Sequence, residues 1–304
     1  MTKGPVSHDG HEFHSRRARL AHAQKFSVQS NKTRWRSQME TIQALYINLD
    51  KELTRLRLIN EQLAAVGIAG QRLEAVEGCK PLPPELASYF NPQHVMDVGA
   101  LGCYASHIKA WRQITLQRLP YALVLEDDAI LDPNLAGILR NVLAALSPDW
   151  DMVHLASKPD RAVLRVAKLT GCGALVQYSR IPPGAVGYLI SAAGAEKMLS
   201  AEPRIWPLDT DTRRPWLFGL NVYGVTPPPI RHNWLVPSTI RARGPKHATP
   251  RRGIRAAFGN PIRNSEGLLF NYRRLGPYSW WRCLIINAVR KIRSIYSIAR
   301  GQAS

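Results

Sequence analysis

Cysteine is scarce: Cys79, Cys103, Cys172 and Cys283 are the only four in 304 residues, and none forms a C-x-x-C pair. That excludes a zinc ribbon and a disulfide framework, and makes the reducing cytoplasm the expected compartment. No run approaches the roughly 20 apolar residues of a spanning helix. The first residues carry His, Arg and Gln where a secretory leader would carry an apolar core. The expected location is therefore cytoplasmic, with peripheral attachment to the inner face of the cytoplasmic membrane as the nearest approach to a bilayer. Acidic residues are also short, 22 Asp and Glu against 41 Lys and Arg, for a net charge of +19. This favours anionic partners, whether phosphorylated substrates, acidic membranes or nucleic acid, without choosing among them.

What is present suffices for one sizeable core, since 45% of the residues are hydrophobic. Residues 1–40 do not join it. His8, His11, His14, Arg16, Arg17, Arg19, Arg34 and Arg36 crowd a stretch with little apolar periodicity, a composition that cannot offset ordering entropy, so a disordered basic extension is expected there. Its histidines lack converging carboxylates or thiols and read as a solvated tail rather than a metal site. Met39 stands just ahead of the first apolar run, and translation is a candidate to start there.

Ala44-Leu45-Tyr46-Ile47-Asn48-Leu49 is an apolar run ending at Asp50, and residues 55–66 carry Leu and Ile at helical spacing up to Gly67. A strand, a polar turn and a helix make the first half of a βαβ unit, whose carboxyl strand end commonly holds a ligand. Ile108, Trp111 and Ile114 share one helical face after Gly99-Ala100-Leu101-Gly102-Cys103, whose glycines permit close backbone approach. Pro120-Tyr121-Ala122-Leu123-Val124-Leu125 is a continuous apolar run, the mark of a strand covered on both faces. Asp151-Met152-Val153-His154-Leu155 and Ala185-Val186-Gly187-Tyr188-Leu189-Ile190 read as further strands, the second leading into a small-residue helix over residues 192–199. The expected fold is one α/β domain. Over residues 203–250 proline and tryptophan multiply, so regular structure should thin into loops and edge segments suited to binding.

Glu126, Asp127 and Asp128 follow the buried run directly. Carboxylates repel one another and resist burial, so a positive partner is expected. In an extended segment Glu126 and Asp128 would share one side, with Asp127 facing the other, and two oxygen donors suit a hard cation such as Mg²⁺ or Mn²⁺. The competing reading is an acidic loop in which Asp128 or Asp132 caps a helix over residues 134–146. A second pair, Asp209 and Asp211, follows Trp206 and Pro207; it reads equally as catalytic or as a solvated turn paired with Arg213 and Arg214. Asp209-Thr210-Asp211-Thr212 also fits a D-x-D-x-T phosphatase pattern, but no apolar strand precedes it. Adjacent Ser106 and His107 rarely orient as a nucleophile and base, which leaves substrate contact or the head of a helix.

Several segments together resemble glycosyltransferase family 25, the lipooligosaccharide-type galactosyl- and glucosyltransferases. They are Tyr46-Ile47-Asn48-Leu49-Asp50 with Arg55, Gly102-Cys103-Tyr104-Ala105-Ser106-His107 with Trp111, Leu125-Glu126-Asp127-Asp128, Gly187-Tyr188-Leu189-Ile190-Ser191 with Gly194-Ala195, Pro207-Leu208-Asp209 and Ser238-Thr239-Ile240. The family's usual Gly-Glu-Ile-Gly-Cys is Gly99-Ala100-Leu101-Gly102-Cys103 here, and Thr54 stands where Asp is common. The resemblance implies a GT-A-like fold, a Rossmann-type mixed sheet flanked by helices with a loop-rich C-terminal part. It implies a catalytic domain over residues 41–245 that moves a hexose from a UDP-sugar to a saccharide or lipid-linked saccharide with inversion. Glu126 and Asp128 would hold Mn²⁺ or Mg²⁺. Asn48, Asp50, Arg55, Ser106, His107 and Asp127 would meet the donor, the first three reading otherwise as ordinary turn and cap bonding at the first strand end. Asp209, with Asp211, would supply the catalytic carboxylate. His232 is a further candidate for the metal shell or a structural histidine.

Residues 246–304 form a basic C-terminal region. Leu284, Ile285, Ala288, Val289, Ile292, Ile295, Tyr296 and Ala299 recur at helical spacing among Arg282, Arg290, Lys291, Arg293 and Arg300, behind Trp280 and Trp281. Such a helix suits an anionic membrane surface, reinforced by Arg251 and Arg252, or packs on the domain. A basic nucleic-acid-binding protein is the rival reading of the charge; it lacks a reading motif and leaves the buried acids unexplained, so no nucleic-acid partner is expected.

Overall fold

The two continuous apolar runs become neighbouring strands at the heart of a sheet. A computed structural model describes residues 42–94, 96–171, 173–200, 203–233 and 261–299, of which residues 261–264 and 293–299 are described by backbone alone. The expectations for residues 1–40, Met39, Cys172, residues 238–240, Arg251, Arg252 and Arg300 lie outside the described residues. In chain order the elements are β1 (Gln43–Asn48), α1 (Leu53–Ala65), β2 (Ala69–Glu74), one-turn α2 (Pro84–Ala87), α3 (Val98–Leu116), β3 (Tyr121–Glu126), β4 (Ala129–Leu131), α4 (Leu135–Ala145) and β5 (Met152–His154). There follow the hairpin β6 (Val163–Leu169) and β7 (Gly173–Tyr178), β8 (Gly187–Ser191), α5 (Ala192–Met198), one-turn α6 (Leu208–Asp211), a 3₁₀ turn (Pro215–Leu217), β9 (Val222–Thr226), β10 (Ile230–His232), α7 (Pro261–Leu275) and α8 (Pro277–Ala299).

Eight strands hydrogen-bond in the order β2-β1-β3-β8-β5-β9-β7-β6. β2, β1 and β3 are parallel, β8 is antiparallel to both its neighbours, β5 and β9 are parallel, and β7 and β6 close the far edge in antiparallel. This is the mixed sheet flanked by helices that the sequence led us to expect. Residues 203–233 correct one expectation: β9 lies inside the sheet between β5 and β7, with Val222 and Val225 buried, so this stretch is not confined to loops and edges.

Alternation along β1 serves two helices. The Tyr46 hydroxyl donates to Asn60 Oδ1 on α1 at 2.7 Å, while Leu45 and Ile47 join the core formed with Tyr104, Ile108 and Trp111 of α3. Each such fully buried large side chain contributes roughly 1.5–3 kcal/mol. The chain passes from β1 to β2 on one side and returns through α3 to β3 on the other, so the carboxyl ends of β1 and β3 bound a topological switch point, where α/β sheets bind ligands. Asp97 caps α3 by accepting from the Gly99 and Ala100 amides, which puts His107 in the middle of the helix and corrects its expected place at a helix head. No helix among the described residues is long and apolar enough to cross a membrane.

Candidate functional site

A cleft opens at the carboxyl ends of β1 and β3, lined among others by Arg55, Cys103, His107, Glu126, Asp128 and His232. β3 ends at Glu126, and Asp127 and Asp128 occupy the turn before β4. All three carboxylates line the one cleft, which corrects the expectation that Asp127 faces away. The cause is a pair of buried partners: Asn48 Nδ2 donates to Asp127 Oδ2 at 2.8 Å and Arg55 Nη1 to Asp127 Oδ1 at 3.0 Å. Arg55 also lies 3.7 Å from Asp128 Oδ2. Arg72 in turn holds Asn48 through its Oδ1 and carbonyl oxygen.

The antiparallel pairing of β10 with β4 brings His232 opposite Ala129, so its Nε2 stands 3.2 Å from Asp128 Oδ2. The other carboxylate oxygen, Asp128 Oδ1, is buried with no hydrogen-bond partner. Burial, then the charges of Glu126 and Asp127, raise the Asp128 carboxyl well above the usual carboxylate range. Burial likewise raises Asp127, against the pull of Asn48 and Arg55. The Asp132 carboxylate accepts from the Asn134 amide at 2.8 Å just before α4, so the helix-start role falls to Asp132 and leaves Asp128 to the cleft.

From α3, His107 is almost fully buried, its Nδ1 2.8 Å from the Tyr188 hydroxyl and its Nε2 3.4 Å from Glu126 Oε1. Trp111 Nε1 donates to the same Tyr188 hydroxyl at 2.9 Å. Cys103, His107 and Glu126 bring ligand atoms within 4.8 Å of one another, a convergence of thiol, imidazole and carboxylate that the sequence did not signal. Burial, then Glu126, Asp209 and Asp128, push the Cys103 thiol well up, which disfavours the thiolate as long as no cation is bound. Carboxylate oxygens with an orphaned acceptor among them fit a hard divalent cation better than a soft one. Glu126, which belongs to that convergence, and Asp128, which lines the same cleft with an oxygen left over, are candidates for it.

Other expected residues fall differently. Ser106 lines the cleft, but its hydroxyl donates to the Gly102 carbonyl at 2.7 Å and accepts from the Val76 amide at 2.8 Å, which ties the loop after β2 to α3. Asp50 is exposed in the turn after β1, bonded to Arg72, and lies outside the cleft lining. Asp211 is buried away from the cleft, accepting from the Tyr104 hydroxyl at 2.9 Å and pairing with Arg214, so it is not a solvated turn residue. Arg213 turns instead to the Ile181 carbonyl. Asp209 is half-buried on α6, close enough for its charge to bear on Cys103.

Comparison with known proteins follows the same residues. The model of glycosyltransferase family 25 (LPS biosynthesis protein) matches residues 41–212. Procollagen galactosyltransferase 1 of Danio rerio is 30% identical over 181 residues, 53% of this chain and 28% of that protein. A glycosyltransferase 25 family member of Drosophila melanogaster is 28% identical over 196 residues, 57% of this chain and 30% of that one. The matched region thus spans less than a third of either relative. Among solved structures, a glycosyltransferase involved in the glycosylation of the major capsid of PBCV-1 aligns at 12% identity and a TM-score of 0.31, over 52% of this chain and 63% of that one, too distant to carry an argument. With more than half of its length matched by the family model, across the strands and helix that build the carboxylate cleft, the chain belongs to glycosyltransferase family 25.

Proposed function

We propose that the chain is a metal-dependent inverting glycosyltransferase. It moves a hexose, galactose or glucose, from a UDP-sugar to a saccharide or lipid-linked saccharide acceptor in the synthesis of lipopolysaccharide, lipooligosaccharide or another surface glycan. The observation that supports it most is the buried, unpartnered Asp128 Oδ1 in a cleft that also holds Glu126 and Asp127, in a chain of this family. Similarity to a procollagen galactosyltransferase favours galactose.

Glu126 and Asp128 would hold Mn²⁺ or Mg²⁺, which supplies positive charge for the departing diphosphate. Asn48 and Arg55 fix the Asp127 carboxylate as a rigid acceptor for a donor hydroxyl such as those of ribose. The enclosed part of the cleft is about 150 Å³, below the ~300–1,000 Å³ of whole-ligand pockets, so the donor extends past its mouth. In transfer, the acceptor hydroxyl attacks the anomeric carbon opposite the departing UDP. The new carbon–oxygen bond forms as the bond to the diphosphate oxygen breaks, the electron pair leaves with UDP, and the hydroxyl proton passes to a carboxylate. We assign that proton to Asp209, because Tyr104 and Arg214 already occupy Asp211. Asp50 leaves the donor set because it lies outside the cleft lining, and Ser106 because the Gly102 carbonyl and the Val76 amide already hold its hydroxyl.

The C-terminal helices suit a membrane-bound acceptor. α8 docks on the domain by Trp280, Cys283 and Asn287, whose Oδ1 accepts from the Ala162 amide, and turns Tyr278, Trp281, Ile285, Val289 and Ile292 outward. Arg282, Arg290 and Lys291 stand beside that stripe, so its partner is an anionic bilayer surface.

A panel of UDP-sugars with and without Mn²⁺, scored by donor hydrolysis and by protection against unfolding, tests the central reading. UDP-galactose or UDP-glucose with Mn²⁺ should give both signals, and Asp128→Asn should remove them. No response to any UDP-sugar, with salt-dependent oligonucleotide binding instead, would favour the nucleic-acid reading and end this one.

A further inference from the structure

A second cavity, of about 640 Å³, lies away from the carboxylates, between the end of β7, the 3₁₀ turn and α7. Its walls include Arg180, Arg213, Arg214, Arg274, Trp206 and Trp216, and no Asp or Glu is among the residues lining it. Arg214 is paired with Asp211 and stacks its guanidinium over the Trp206 ring at 5.5 Å. The other three arginines have no carboxylate partner among the described residues. Arg274 donates only to the Tyr178 and Val222 carbonyl oxygens, at 2.7 and 3.0 Å, and its Nε is buried without a partner. Arg213 donates to the Ile181 carbonyl. Arg180 is exposed, and its pKa is lowered, first by partial burial and then by the nearby charge of Arg213, against the opposing charge of Asp160. Burial brings Arg274 down to about 10.

Concentrating like charge on walls that carry no carboxylate costs stability, and an entering anion lowers that cost. The aromatic walls narrow the kind of anion. Gly267 of α7 lies so close to the Trp216 indole that a Cβ there would come within 2.9 Å, so the helix braces the indole with its bare backbone. Two indoles beside guanidinium groups suit a ligand with an apolar ring face and an anionic substituent. The volume falls within the range of small-ligand sites, whereas the cleft encloses about 150 Å³. The two sites adjoin through α6: Asp209 bears electrostatically on Cys103 of the cleft, and the next residue, Thr210, lines the second cavity.

We propose that this arginine- and tryptophan-lined cavity binds an anionic saccharide, a sugar ring carrying a phosphate or carboxylate, as the acceptor-side subsite of the transferase. The claim about acceptor use rests on the transfer reading above; the claim of anionic-sugar binding does not.

Tryptophan fluorescence and calorimetric titration of the full chain, with glucose 6-phosphate, glucuronate, glucose and inorganic phosphate as probes, test it. Glucose 6-phosphate or glucuronate should bind at least 10-fold more tightly than glucose, and glucose 6-phosphate more tightly than inorganic phosphate. Among the described residues the Arg180 side chain makes no hydrogen bond, so Arg180→Ala should keep the unfolding temperature while weakening the anionic sugars about 10-fold, the worth of one charge-assisted hydrogen bond; Arg180→Glu should weaken them further. Asp128→Asn should leave this binding intact while abolishing Mn²⁺-dependent UDP-sugar binding. Failure of UDP-sugar binding alone removes the transfer reading and spares the cavity. Equal binding of glucose and glucose 6-phosphate, equal binding of inorganic phosphate, or indifference to Arg180→Glu overturns the cavity proposal.

Discussion

Asp128 sits where burial and two neighbouring carboxylates act in the same direction, raising its carboxyl from 3.8 to about 7. A carboxyl that binds its proton more tightly in the folded protein than in the unfolded chain stabilises the fold at low pH. For Asp128 that contribution is full below 3.8 and is lost as pH rises through about 7. A cation shared with Glu126 holds the carboxylate ionised and cancels the loss. Mn²⁺ should therefore raise the unfolding temperature little near pH 5 and by several degrees near pH 8. His154, buried and lowered from 6.5 to about 4, gives the opposite slope, with stability lost as pH falls through that interval. That slope is common to the metal-free and metal-loaded protein and vanishes in the difference between them. Thermal unfolding with and without Mn²⁺ across pH 5–8 measures the difference, and Asp128→Asn should flatten it. A metal effect that shrinks as pH rises would contradict the assignment. At this scale the sequence was readable where identity implies a demand, as for three acids behind a buried strand. It was silent where the answer depends on which partner arrives first: Ser106 is taken by the Val76 amide, besides the Gly102 carbonyl one turn back, Asp50 by Arg72 and Asp211 by Tyr104, partners 22 or more residues away in the chain.

Between residue and fold, the cleft wall depends on α3 lying against the loop after β2. A Cβ on Gly102 would stand 2.5 Å from the Val76 carbonyl oxygen and 2.7 Å from the Gly78 nitrogen, both backbone atoms that cannot swing aside. Gly102→Ala should cost about 1–3 kcal/mol in urea unfolding and weaken UDP binding, because Val76, Gly78 and Cys103 line the cleft. Gly67 provides the contrast: it ends α1 at φ +67° with open space around it, so Gly67→Ala should cost about 1 kcal/mol of backbone strain and leave UDP affinity unchanged. Equal effects of the two on UDP affinity would show that the close approach does not shape the site. β1, β3 and β8 were legible because each is a continuous apolar run covered on both faces. β6 was not, because an edge strand leaves Arg165, Val166 and Lys168 exposed and breaks the pattern. β9 was hidden by the proline-rich sequence around it, since its place between β5 and β7 is fixed by pairing with strands far away in sequence.

Over the whole molecule, the net charge is +19, whereas the cleft gathers Glu126, Asp127 and Asp128 with Arg55 as their one arginine, so the protein's charge draws anions while the carboxylates repel them until a cation is bound. That division suits an enzyme whose donor is a metal-bound diphosphate and whose acceptor lies at an anionic surface. α8 gives the surface contact a defined geometry, because its docked face and its outward stripe lie on opposite sides of one helix. Trp281→Ser combined with Ile285→Ser and Val289→Ser leaves Trp280, Cys283 and Asn287 in place, so the domain should keep its unfolding temperature. Flotation with phosphatidylglycerol–phosphatidylcholine vesicles should fall sharply in that variant. Arg290→Ala with Lys291→Ala should weaken binding about 30-fold, at about 1 kcal/mol for each cation near the surface, and added salt should do the same to the parent chain. Equal flotation on pure phosphatidylcholine, or a triple-serine variant that floats like the parent, would mean that the stripe faces something other than an anionic bilayer.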